Sequence, residues 1–170
     1  NEEQAHWVRW IFQRAANGHP YRHIVYELNA KGVPAPRGDS WAVSALYGNP
    51  LKGAGVVNNQ LYAGTYVWNR SQWIKDPDTG KRQRVDRPRH EWRVVEVPEL
   101  RIVDQQTWDR VRARIDAGRG PDGRKQSLRP RSAILSGVLH CPHCGGPLSS
   151  QGHSRYGCTR GHDRGPTVCP

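Results

Sequence analysis

The sequence predicts an α+β fold in two parts: a small mixed domain of helices with a short antiparallel sheet, then a separate β-ribbon. Three observations carry this expectation. Apolar residues spaced for helices in the first third give way near Tyr62 to the two-residue alternation of strands. A run rich in glycine, proline and arginine over 118–132 has almost nothing to bury and reads as a linker. Beyond it lie all four cysteines, confined to the last thirty residues. The boundaries that follow are 1–117, 118–132 and 133–170.

The first helix runs from Glu2 to Ala16, with Ala5, Val8, Ile11, Phe12 and Ala15 on one face, and Asn17-Gly18 ends it. Pro20 suits the first turn of a second helix, whose inner face is Ile24, Val25 and Leu28 and whose stop is Lys31-Gly32. Residues 33–38 are proline-rich and extended. Asp39 and Ser40 offer caps for a short third helix through Trp41, Val43, Ala45 and Leu46, broken by Gly48-Asn49-Pro50. Val56-Val57 suggests one more helical turn, so the region has a helix-turn-helix-like order. Residues 65–69 read as a strand, 76–80 as a turn, 81–85 as a return strand and 92–95 as a third. Asp76 and Asp78 belong to that turn and are not read as a carboxylate pair. Asp104 caps a helix whose inner face is Trp108, Val111 and Ile115. Trp7, Trp10, Trp68, Trp92 and Trp108 interleave with apolar residues and are expected in the core.

Composition narrows the partner. Only 35% of residues are hydrophobic, and 26 Lys and Arg stand against 15 Asp and Glu, a net charge of +11. Such a balance favours a polyanion, nucleic acid first. An anionic membrane would want an amphipathic basic helix or a long apolar run, and neither is visible, nor is a signal peptide. The chain lacks methionine and stops one residue after its last cysteine, which reads as a piece of something longer.

Cys141 and Cys144 enclose two residues, thirteen residues lie between Cys144 and Cys158, and ten between Cys158 and Cys169. A Cys-x-x-Cys knuckle sets two thiolates on one side of a tight turn, and a tetrahedral zinc ion needs two more from elsewhere. Gly145, Gly146 and Pro147 supply the turn into a hairpin. The expected cofactor is one structural Zn²⁺ on Cys141, Cys144, Cys158 and Cys169. Two disulfides are the alternative, disfavoured because the rest of the chain has no cysteine and looks intracellular. His140, His143, His153 and His162 are possible substitute ligands.

Several stretches together resemble the C-terminal part of a large serine recombinase of the integrase and transposase type. Ile11-Phe12, Gly18, Leu28-Asn29 and Gly32-Val33-Pro34 resemble the opening of that family's recombinase domain. Trp41, Asn58-Asn59, Tyr62-Ala63-Gly64 and Val67-Trp68-Asn69-Arg70 continue it; Trp92, Val97-Pro98, Ile102-Val103 and Trp108 match its end. Leu135-Ser136-Gly137-Val138-Leu139, Cys141-Pro142-His143-Cys144-Gly145-Gly146 and Tyr156-Gly157-Cys158 resemble its zinc ribbon. Residues 48–56 depart from the pattern as an insertion, and the family's resolvase-like catalytic domain and coiled-coil segment have no counterpart here.

The resemblance implies a parent that cuts, exchanges and rejoins duplex DNA through phosphoserine linkages, with other recombinase subunits as partners. It implies a cytoplasmic, bacterial or phage-encoded protein at the nucleoid. This part would recognise attachment-site half-sites without being an enzyme: Ser136 and Ser149 lack a neighbouring base or a strained glycine elbow. Base contacts are expected from Arg37, Ser40, Ser44 and Lys52 around the short helix and from Gln151, His153, Arg155 and Arg160 on the ribbon hairpin. Arg70 joins the expected DNA contacts. The linker cations Arg119, Arg124, Lys125, Arg129 and Arg131 would lie along phosphates. The alternatives are a ribbon used for protein or RNA contacts and, behind it, a metal-dependent nuclease; no His-rich hairpin followed by Asn supports the latter.

Overall fold

The computed structural model describes residues 1–118, 135, 138–151 and 155–170. Helix α1 (Glu2–Ala16) starts where the Asn1 side chain accepts the Glu3 backbone N–H at 3.1 Å, and it buries Ala5, Ile11, Phe12 and Ala15. Helix α2 (Tyr21–Ala30) buries Ile24, Val25 and Leu28, as its spacing requires. Helix α4 (Gln105–Ala117), capped by Asp104, packs on α1 through Trp108, whose ring stacks on Phe12 at 5.7 Å. The same helix closes the end of α1. Arg114 donates to the carbonyls of Ala15 at 2.8 Å and His19 at 2.7 Å, and Arg110 to that of Ala16 at 3.1 Å. The last carbonyls of a helix lack intrahelical partners and favour a cation, so these arginines satisfy both needs.

Helix α3 (Val43–Tyr47) is shorter than the sequence suggested and starts after Ala42, with no side-chain cap. Asp39 and Ser40 do not serve as caps because the backbone of Trp41, which separates them from the helix start, is held by Asn29. The Trp41 N–H donates to the Asn29 amide oxygen at 2.8 Å, its carbonyl accepts from the Asn29 amide at 3.0 Å, and its indole N–H reaches the Val33 carbonyl at 3.0 Å. The proline-rich stretch is thereby folded back on α2.

Residues 48–56 form a closed loop. Asn49 and Ala54 bridge each other, and the Asn49 side chain caps the turn Pro50–Lys52. Gly48 and Gly55 both have positive φ, and a Cβ on either would strike the other arm of the loop, so glycine is required at both. Asn58, in the turn Val56–Asn58, is 2% exposed; it donates to the carbonyls of Tyr47 and Ala54 and accepts from Arg112 of α4 at 2.8 Å. One buried amide thus ties the loop to the helical core.

The expected single sheet is two separate antiparallel pairs. Strand β1 (Thr65–Trp68) pairs with β4 (Arg93–Glu96), and β2 (Ser71–Lys75) with β3 (Arg82–Asp86). Asn69 divides them: at φ 63 it turns the chain between β1 and β2, and its amide donates to the Glu91 carbonyl at 3.0 Å. Alternation in β1 tucks Val67 inward and leaves Trp68 54% exposed, so Trp68 is not a core residue. Trp108 is buried, while Trp7, Trp10 and Trp92 are half-buried.

In the ribbon, β5 (Leu148–Ser150) pairs with β6 (Tyr156–Cys158), and a short helix the sequence did not announce, α5 (Thr159–Arg164), follows. Helix α5 rests on α2. The Tyr26 hydroxyl donates to the His162 carbonyl at 2.7 Å, the Asn29 amide to that of Arg164 at 2.6 Å, and the Arg164 side chain to the Ser40 hydroxyl at 2.9 Å.

Candidate metal centre and nucleic-acid interface

The knuckle Cys141–Cys144 turns through Gly145 at φ 67, and β6 and the chain after α5 deliver Cys158 and Cys169 to the same point. All four sulfurs lie within 4.8 Å of one another, with Cys141 and Cys169 at 3.7 Å and Cys144 and Cys158 at 3.4 Å. None is disulfide-bonded. Four thiolates at 2.3 Å from a zinc ion would stand about 3.8 Å apart, so the set fits a tetrahedral ion. Cys141 and Cys169 are buried, the other two half-buried.

Electrostatics argue for a cation there. Backbone N–H groups of Cys144 and His143 point at the Cys141 sulfur and lower its pKa to about 7. Burial, together with the three neighbouring thiols, pushes the Cys169 thiol up. Four crowded sulfurs cannot all ionise against one another, and a bound cation removes that conflict. Gly161 adds a backbone N–H to the Cys158 sulfur at 3.4 Å, from the first turn of α5.

The DNA-contact expectations fall into three groups. Arg37, Ser44 and Lys52 stand exposed around α3, and Gln151 and Arg155 close the ribbon hairpin through a 2.7 Å backbone bond. Arg160 is exposed but lies on α5, not on the hairpin, because the strand ends at Cys158. Ser40 and Arg70 already have protein partners. Arg70 donates to the Gln60 side chain at 2.6 Å and lies 5.2 Å over the Trp92 ring, and burial, then the Arg84 charge, lowers its pKa. His153 and the linker residues Arg119, Arg124, Lys125, Arg129 and Arg131 lie outside the described residues.

The described residues combine a small helical domain with short antiparallel pairs and a thiol-built ribbon, in a chain of net charge +11. The family model described as Recombinase matches residues 2–118, more than half of the chain, and the protein belongs to that family. This is a domain of serine recombinases, so the protein takes part in site-specific recombination, with DNA and other subunits as partners. Comparison with curated proteins and with solved structures returned no match. Among the described residues no helix is long and apolar enough to cross a membrane.

Proposed function

We propose that this chain is the attachment-site reader of a serine recombinase, binding duplex DNA in a sequence-dependent way. Residues 1–117 form one reading unit and 133–170 the other, joined by the basic linker 118–132. The observation that carries the reading is the family match over 2–118 on a chain of net charge +11. The cofactor in this reading is one Zn²⁺ held by Cys141, Cys144, Cys158 and Cys169, supplying rigidity and no chemistry. Arg37, Ser44 and Lys52 would face bases or phosphates from the first unit, and Gln151, Arg155 and Arg160 from the second. Linker cations would neutralise phosphates between the two. For the ribbon to reach a more distant groove, the hydrogen bonds of Tyr26, Asn29 and Ser40 to α5 would have to open. Water can replace the lost partner on either side, and a phosphate oxygen can accept from the freed Tyr26, Asn29 and Arg164 donors, so the exchange costs little.

Cutting is assigned to the parent enzyme. Neither Ser136 nor Ser149 has a neighbouring base or a strained glycine elbow in the sequence, so we expect this chain to leave supercoiled plasmid intact. The direct test compares the protein's affinity for duplex DNA with that for single-stranded RNA of the same sequence. Duplex preference with no nicking is the expected result. Preference for RNA, or nicking that persists through purification and serine substitution, overturns the reading.

A further inference from the structure

The β2–β3 hairpin is almost wholly exposed. Every residue of β3 is exposed, as are the last three of β2. Isolated two-stranded hairpins are marginally stable, and this one lacks a core on either side. Directly opposed residues share a face, and the register places Trp73 with Arg84, Lys75 with Arg82 and Ser71 with Asp86 on one of them. Trp73 is 67% exposed. Lys75 opposite Arg82 is a like-charge pair, which weakens a hairpin unless something negative lies over it.

That face continues into the surface around Lys52. Asp86 at its base sits 3.9 Å from the Lys52 ammonium and 3.8 Å from Arg84, so its carboxylate is neutralised and Lys52 joins the stripe. From Ser71 to Lys75 the strand advances about 13 Å at about 3.3 Å per residue, so cations run outward from the end of the α3 region. The tip has the opposite character. Asp76 and Asp78 are there, and the Asp76 carboxylate is spent on the N–H groups of Asp78 and Thr79 and on Gln83. An acidic tip is repelled from a groove floor, whereas the basic flank can lie along a strand of phosphates with Trp73 against the sugars.

We propose that the Trp73–Lys75–Arg82–Arg84 face of the hairpin is a second duplex-DNA contact, laid side-on against the phosphate backbone beside Lys52. This rests on the DNA-binding reading above. Charge complementarity selects the occupant: a basic flank with a single, neutralised acid fits a polyanion of regular charge spacing.

The like-charge pair supplies a discriminating test. The double variant Lys75→Gln/Arg82→Gln removes a repulsion, so the free protein should unfold at an equal or higher urea concentration. Its binding to duplex DNA should nonetheless weaken. The slope of log K against log salt should flatten by about 1–2, at about 0.9 for each phosphate no longer neutralised. The weakening should be equal on mixed-sequence and selected duplexes, because phosphate contacts carry no sequence information. Trp73→Ala should weaken both duplexes to the same degree. Wild-type binding with unchanged slopes in the double variant overturns the hairpin contact alone. Failure of the wild-type protein to bind any duplex sinks the DNA reading itself, and the hairpin contact with it.

Discussion

Replacing Cys158 with serine should abolish metal binding and unfold the ribbon while α1, α2 and α4 remain folded. Among the described ribbon residues, Cys141 and Cys169 are the buried hydrophobic ones, so a bound ion would stand in for a core. Structural zinc binding of this type contributes about 10–16 kcal/mol, far more than a three-residue strand pair can replace. The first unit draws its stability from the cluster of Phe12, Leu28, Trp41 and Trp108, which contains no metal ligand. Elemental analysis should find about one zinc per wild-type chain and none in the variant. Proteolysis should then digest the variant's ribbon and spare the preceding domain. Two disulfides with no metal in the wild-type protein would contradict this account.

Asn58→Leu should destabilise the first unit by about 2–4 kcal/mol, a large effect for one side chain. The leucine fits the space but takes the Asn58 amide away from the Tyr47 and Ala54 carbonyls, the latter keeping the Asn49 N–H at 2.9 Å, and leaves the Arg112 guanidinium without its inner acceptor. Asn58 is the one buried polar residue among those described, and it holds the 48–56 loop, hence Lys52, against the helical core. Urea unfolding measures the loss directly. A midpoint within error of the wild type would show that the loop is anchored by its glycine-defined turns alone.

Much of this was legible locally. Helices α1, α2 and α4 follow from apolar spacing, and each buries the face that spacing marks. The cysteine cluster follows from a knuckle and two later thiols, since a hairpin and a return are enough to gather them. What failed to show was non-local. Strand pairing depends on Asn69, whose left-handed turn splits the sheet, and nothing in Ser71-Gln72-Trp73-Ile74-Lys75 marks β2 as a strand exposed on both faces. Helix α5 lacks any apolar period, being held by its neighbours on α2. The cap expected from Ser40 gave way to Asn29 and Arg164, residues distant in sequence. Among the DNA-contact residues, exposure could be anticipated from charge, but not the engagement of Arg70 by Gln60 and Trp92.

The central claim is that one chain reads duplex DNA through two units joined by a basic linker. Selection of bound duplexes from a random pool, followed by footprinting of the winners, tests it most directly. The account predicts a single extended motif longer than one helical turn, with two protected patches separated by a stretch of weaker sequence preference. A short motif confined to one patch, or no enrichment over the starting pool, would contradict it.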